Sequence, residues 1–153
     1  DYRDNFLKKL TKNEDINFDF YGLNNTQPIW AQEFLDTISN SKMGLNLSRG
    51  KPLKYYSSDR IAQFMGNGLV TLIDEKTQYQ NFFNHDEMVF YKDYQDLIEK
   101  ILKIKNDDKL RKKIGYNGKF KYDKLFNSSK VAKFIINKTL GLNNSDFFIW
   151  EKR

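Results

Sequence analysis

The sequence predicts an α/β domain of three layers, in which helices cover both faces of a mostly parallel sheet. Residues 69–73 form a continuous apolar run, which is typical of a strand buried on both faces of a parallel sheet. Helical and strand-like segments alternate along the chain, as they do in folds built from β-α-β units. With 153 residues, of which 39 % are hydrophobic and 16 % aromatic, the chain is long enough to bury one core.

The amino-terminal part of the chain predicts a helix, a strand and a second helix. Apolar residues recur at helical spacing over residues 1–12. Apolar and polar residues alternate over residues 16–21, which predicts a strand that ends at Gly22. Pro28 is expected to open the second helix, because its missing N–H costs nothing in a first turn. The expected apolar face of that helix comprises Trp30, Phe34 and Ile38.

A cap, a short helix, a glycine turn and the buried strand follow one another over residues 57–74. Ser57 and Ser58 are expected to cap the helix, because a short hydroxyl accepts a hydrogen bond from the first turn. The glycine turn around Asn67 then ends the helix. A preceding apolar segment over residues 42–47 predicts a neighbouring strand.

The carboxyl-terminal part predicts a short helix at residues 79–83, a strand at residues 88–91 and three further helices. The first of these, over residues 94–105, is clearly amphipathic. Gly115 and Gly118 are expected to weaken the second, because glycine disfavours a helix interior. The third is expected to bury Val131, Phe134, Ile135 and Leu140. These elements predict one α/β domain at residues 1–141 and a tail at residues 142–153.

The composition limits the classes of function. The net charge of +6 suits a phosphate-bearing partner or an anionic membrane surface. The absence of cysteine excludes disulfides and thiolate metal sites, and we expect a cytoplasmic location. No His, Asp or Glu combination has metal-ligand spacing, so neither a metal nor a cofactor is expected. No apolar run reaches the ~20 residues of a membrane helix. The chain starts without methionine, so we expect it to be part of a larger protein.

Candidate ligand contacts follow the strand at residues 42–47 and precede the central helix. The carboxyl ends of parallel strands line the cleft of an α/β sheet, and helix N-termini favour anions. Arg49 and Arg60 are the nearest cations, and a guanidinium can pair two phosphate oxygens at once. The alternative for each is a solvated side chain, or an Arg60–Asp59 pair. Asn46 and Ser48 are further candidates at this edge, and Tyr55 is expected either to stack on a ligand or to pack.

Four segments between residues 19 and 127 together resemble a known family. They are FYG (20–22), NSKMGLNLSRG (40–50), SSDRIAQFMGNGLVTLID (57–74) and the NFF…EMVFYKDYQDLIEKI run, in this order. This part of the chain resembles the C-terminal half of a group-1-type glycosyltransferase of the GT-B fold, closest to the CgeB-like (spore maturation) branch. The resemblance implies that this half binds the donor nucleotide. It also implies an acceptor-binding Rossmann-like half, amino-terminal to this chain.

The resemblance further implies individual roles. Gly22 stands where family members approach the nucleotide base with backbone atoms. Gln63 replaces a glutamate that commonly contacts the donor, and Tyr55 stands where retaining members often have a second glutamate. A retaining mechanism of the two-glutamate kind is therefore not supported. The expected nucleotide-sugar contacts are Gly22, Asn46, Ser48, Arg49, Tyr55, Ser57, Ser58, Arg60 and Gln63.

The sequence thus predicts the donor-binding domain of a glycosyltransferase that uses a nucleotide-diphosphate sugar, inactive as an isolated chain. One alternative is an α/β interaction module that has lost catalysis, which Gln63 and Tyr55 favour. Another is a basic nucleic-acid-binding domain, but the lysines spread along helix faces opposite the apolar stripes, as on ordinary solvated surfaces. The basic stretch at residues 100–124 leaves peripheral membrane association as a further expectation.

Overall fold

Three parallel strands form a sheet in the order β1-β2-β3. The structure is a computed structural model that describes residues 2–23, 25–48, 50–142 and 148–152. Leu45 of β1 lies opposite Leu72 of β2, so the two strands pair in parallel. All residues of β2 and β3 are buried, which agrees with their apolar runs. The strands are β1 (Met43–Asn46), β2 (Val70–Asp74) and β3 (Val89–Tyr91).

The helices cover both faces of the sheet, and this confirms the predicted three-layer α/β fold. Successive strand residues point to opposite faces, so Leu72 and Ile73 enter two different hydrophobic clusters. The cluster with Leu72 includes Leu10 and Leu97, and the cluster with Ile73 includes Met65. The helices are α1 (Tyr2–Thr11), α2 (Ala31–Asn40), α3 (Asp59–Gly66), α4 (Tyr94–Lys105), α5 (Asp108–Phe126) and α6 (Ser128–Thr139). Short 3₁₀ helices occupy Glu75–Thr77, Tyr79–Asn81 and Ile149–Lys152.

Two glycines allow α5 to approach the backbone beneath it. A Cβ atom on Gly115 would lie 2.1 Å from the carbonyl oxygen of Gly68, and one on Gly118 would lie 2.3 Å from that of Glu87. No side chain fits at these distances, so only glycine permits the contact. The helix continues through both positions. That these glycines weaken the helix stays a prediction, and the structure adds that they fix its packing.

The strand predicted over residues 16–21 is wrong. This segment has no regular secondary structure and does not belong to the sheet. Ile16 and Phe18 pack against the hydrophobic cluster that contains Leu10, and the Phe18 and Phe20 rings stack with their centroids 6.4 Å apart. The alternating pattern thus indicates that one side of the segment is buried. Burial of that side does not require hydrogen bonding to a neighbouring strand.

The predicted boundaries and buried faces of two helices also need correction. Helix α2 begins at Ala31, three residues after Pro28, and Trp30 is 71 % exposed. In α6, Ile135 and Leu140 are 56 % and 66 % exposed, because this helix packs on the end of α5 and on the chain terminus rather than on the sheet. Val131, which was also predicted to be buried, is exposed as well.

The chain terminus packs on this helix through aromatic rings. The Phe134 ring lies 5.1 Å from the Phe148 ring and 5.5 Å from the Trp150 ring, measured between centroids. Trp150 also stacks on Phe126 of α5. Residues 143–147 of the predicted tail lie outside the described residues.

Candidate functional site

Strand β1 ends beside the first turn of α3, at the carboxyl edge of the sheet. Ser58 is the N-cap residue of α3, with the extended dihedrals φ −136° and ψ 159°. Its hydroxyl donates to Asn46 Oδ1 at 2.7 Å and makes no capping hydrogen bond to the helix. The predicted capping role of this hydroxyl is wrong, because the Asn46 amide competes for it. The first turn of α3 is therefore left without a cap from Ser58.

Arg60 connects the same two elements. Its Nε donates to Asn46 Oδ1 at 3.4 Å, and its Nη2 donates to the carbonyl oxygen of Leu47 at 2.7 Å. The structure thus brings together Asn46, Ser58 and Arg60, three of the residues predicted from the sequence. In this arrangement Arg60 holds the end of β1 against α3.

The amide of Asn46 has an unused donor. Asn46 is only 2 % exposed, and its Nδ2 has no hydrogen-bond partner among the described residues. A guanidinium only donates, so the Asn46 atom that faces Arg60 must be the oxygen, and this fixes the orientation of the amide. A buried donor without an acceptor costs free energy. The arrangement is therefore suited to a ligand that brings an acceptor to this nitrogen.

Tyr55 is held in a strained conformation next to the segment that follows β2. Its φ of +56° lies in the left-handed region, which is rare for a bulky residue and often marks functional positions. Its N–H donates to the carbonyl oxygen of Thr77 at 2.8 Å, and its hydroxyl accepts from Asn81 Nδ2 at 2.8 Å. Its ring packs 5.1 Å from the ring of Phe82, between centroids. These contacts fix one edge of the Tyr55 ring.

Ser57 also bonds to this segment. Burial raises the pKa of the Tyr79 phenol, and a hydrogen bond with the Ser57 side chain partly opposes the rise. Like Ser58, Ser57 therefore directs its hydroxyl to a residue distant in sequence. Ser57 itself is exposed.

Asp74 is a further polar residue at this edge, and the sequence reasoning missed it. It ends β2, directly after Ile73, which pairs with Asn46 of β1. Its Oδ1 accepts from the Lys76 N–H at 2.8 Å. Burial raises the pKa of its carboxyl group above the ordinary 3.8, although the Lys76 N–H opposes the rise. An acidic residue directly after a fully apolar run was the signal that could have identified it.

Comparison with known proteins supports a functional assignment at the level of the family. A family model described as glycosyl transferase-like matches residues 3–137. The chain belongs to this glycosyl transferase-like family. No curated protein and no solved structure matches the chain significantly. The predicted glycosyltransferase family is thereby confirmed, whereas the CgeB-like branch remains a prediction.

The remaining predicted contacts of this glycosyl transferase-like domain are more dispersed. Ser48 is half-buried and lies two residues beyond β1, and Gln63 is exposed on α3. Gly22 lies in a separate turn, where its N–H donates to the carbonyl oxygen of Thr26 at 3.1 Å and its φ is +75°. Arg49 lies outside the described residues.

The described part of the glycosyl transferase-like domain holds neither a metal-binding cluster nor a membrane-spanning helix. No three His, Cys, Asp or Glu side chains come together there in a group that could hold a metal ion. Within the same residues, no helix combines the length and apolar character needed to cross a bilayer.

Proposed function

We propose that this domain binds the nucleotide-diphosphate sugar donor of a glycosyltransferase at the carboxyl edge of its sheet. The observation that carries the proposal is the buried Nδ2 of Asn46, which has no acceptor among the described residues and lies beside the first turn of α3. Phosphate and ribose oxygens are acceptors that would satisfy it. The family match supports sugar transfer as the reaction class.

The surroundings of Asn46 suit the charge of a diphosphate. The amino end of a helix carries partial positive charge, and its first N–H groups can bind phosphate oxygens. The Ser58 hydroxyl makes no capping bond to this turn. Arg60 adds a positive charge at the same corner. In sugar transfer, such donors would stabilise the nucleoside diphosphate as it leaves.

The other predicted contacts complete the proposal. Tyr55, Ser57 and Gln63 are proposed to contact the sugar or the nucleoside, together with Gly22, Ser48 and Arg49. The acceptor is proposed to bind a second Rossmann-like half, as the GT-B resemblance implies. The isolated chain is then expected to bind donor and to transfer nothing.

A titration of the chain with UDP, GDP, ADP and their glucose conjugates, followed by amide NMR, tests donor binding. We expect at least one of these nucleotides to shift the amide signals of Asn46 and Ser58. A panel that leaves these signals unchanged would contradict the proposal.

The substitution Asn46→Asp tests the carrying observation. Aspartate retains an oxygen for Ser58 and Arg60 but replaces the unpartnered N–H donor by a negative charge. Because a hydrogen bond to a charged group contributes roughly 1.5–3 kcal/mol, we expect a loss of about tenfold or more in nucleotide affinity. Asn5→Asp, at an exposed position of α1, is the control for the added charge and should bind normally. Equal affinity of Asn46→Asp and the wild type would overturn the assignment.

A further inference from the structure

A cavity of about 680 Å³ lies on the α1 side of the sheet, apart from the Asn46 amide. It is lined by α1, the segment at residues 16–21, α2 and β1, with further residues from β2, α3 and α4. Volumes of 300–1,000 Å³ are typical of small-molecule sites. Its walls are predominantly apolar and include Phe18, Phe20, Phe34, Ile38, Leu45 and Leu72.

One charged group in this cavity has an unused donor. Arg3 of α1 lines the cavity, and its Nε is buried without a hydrogen-bond partner in the described part of the chain. Lys105 also lines it, but its Nζ donates to the carbonyl oxygen of Asp15 at 2.6 Å. Lys42 lies 4.0 Å from Asp108, measured from Nζ to Oδ1.

The charge of the lining is unbalanced. Four cationic residues contribute to it, whereas Asp19 is the one acidic residue among the described lining residues. A neutral apolar ligand would leave the Arg3 Nε buried and unpaired, which is unfavourable. A carboxylate or a phosphate would satisfy it, because a guanidinium binds both in a fork geometry. The cationic lining residues are Arg3, Lys42, Arg60 and Lys105.

We propose that this cavity binds an amphipathic anion, with an apolar chain against the aromatic walls and a carboxylate or phosphate head on Arg3. Burial of the ligand's apolar chain provides the driving force, and its head provides an acceptor that the described residues do not offer to Arg3 Nε. This inference does not rest on the donor site, because Arg3 and the aromatic walls carry it, and these belong to α1, α2 and the segment at residues 16–21. Arg60 lines the cavity as well, but its guanidinium is bonded to Asn46 and Leu47.

Titration of the full chain with decanoate, decyl phosphate and 1-decanol, followed by amide NMR, tests the proposal. We expect both anions to shift signals from α1, α2 and β1, and decanol to bind at least tenfold more weakly. A preference for one anion identifies the head group. Decanol binding as tightly as both anions would overturn the role of Arg3, and no binding by any of the three would overturn the site.

Three substitutions refine the test. Arg3→Gln is expected to weaken decanoate at least tenfold while leaving decanol unchanged. Lys8→Gln, on an exposed position of the same helix, is the matched control and should bind as the wild type does. Thr37→Phe places a ring into the cavity from α2 and should abolish binding of all three compounds. Equal decanoate affinity in Arg3→Gln and Lys8→Gln would contradict the proposal, and the wild-type comparison remains decisive if Thr37→Phe fails to fold.

Discussion

Single buried polar groups determine what the carboxyl edge of the sheet can do. Asn46 and Asp74 lie on adjacent strands at this edge, and both are buried. Asn46 presents a donor that has no partner in the described part of the chain, and Asp74 is a carboxyl group whose charged form is disfavoured by burial. Both features are unfavourable for folding alone, and such groups concentrate at functional sites. A ligand that offers acceptors to both residues would be bound more tightly when Asp74 is protonated.

The raised pKa of Asp74 predicts a pH-dependent cost to stability. The native state binds this proton more tightly than the unfolded chain, so ionisation destabilises the fold as the pH rises above about 3.8 and through the higher native value. Asp74→Asn retains an oxygen for the Lys76 N–H. We therefore expect the variant to be more stable than the wild type at pH 7. This gain should shrink as the pH falls toward 3, in urea unfolding curves. A gain that does not change with pH would show that Asp74 does not titrate in this range.

The predictability of the site also differs between single residues. The proximity of Asn46, Ser58 and Arg60 could be predicted, because they end a parallel strand or open the next helix. The bonds between them could not, since each joins residues 12 or 14 positions apart that meet only in the fold. Asp74 was missed because its chemistry depends on burial, which the sequence indicated for the run before it but not for the residue itself.

At the scale of elements, a single lysine joins α4 to β3. Lys100 Nζ donates to the carbonyl oxygen of Phe90 at 2.7 Å and to Asp96 Oδ2 at 2.7 Å. Burial alone would raise the pKa of Asp96, but hydrogen bonds from Lys100 and from the Lys92 N–H outweigh it, so this pKa is lowered. The carboxylate therefore stabilises the connection between helix and strand.

Removal of the Asp96 carboxylate should destabilise the protein. The pH dependence of this effect should be opposite to that expected for Asp74. Because the native pKa of Asp96 is lowered, its contribution is present above about 3.8 and disappears as the pH falls through the native value. We expect Asp96→Asn to lose up to about 1 kcal/mol at pH 7, as is usual for a partly exposed pair. The loss should vanish at low pH. Glu99→Gln, on an exposed position of α4, is the control, and a similar loss there would contradict the specific role of Asp96.

The glycines of α5 allow a test of how closely this helix packs. Alanine is the better helix former, by about 1 kcal/mol, yet its Cβ at Gly115 or Gly118 would collide with backbone oxygens. We expect each alanine variant to lose roughly 1–3 kcal/mol of unfolding free energy in urea. Gly66→Ala is the matched control, because nothing lies within 4 Å of its added Cβ. Stabilisation of Gly115→Ala would show that α5 can move away without cost.

An element could be predicted from the sequence where its apolar residues pack in the way that their spacing indicated. The helix predicted over residues 94–105 has these bounds in the structure, and the apolar run at residues 69–73 matches β2 within one residue. The segment at residues 16–21 and helix α6 show the limit of this reasoning. Their apolar patterns indicate one buried side in each, but a pattern does not specify what covers that side.

At the scale of the whole molecule, the fold predicts a gradient of local stability. Strand β2 is central and fully buried, whereas α6 packs on the end of α5 and leaves several apolar side chains exposed. Regions with few buried contacts open most readily. In hydrogen exchange followed by mass spectrometry, we therefore expect β2 amides to exchange last and α6 amides among the first. Equal protection of α6 and β2 would indicate that a further contact covers this helix in solution.

The two glycine contacts of α5 have a mechanical consequence. Gly68 and Glu87 lie two residues before β2 and β3, so the backbone of α5 packs closely against the points where both strands enter the sheet. The opposite end of β1 is joined to α3 by side chains, among them Ser58 and Arg60. We therefore expect the amino ends of the strands to be rigid and their carboxyl ends to be able to move. The sheet could then close around a ligand at its carboxyl edge without a change in the rest of the domain.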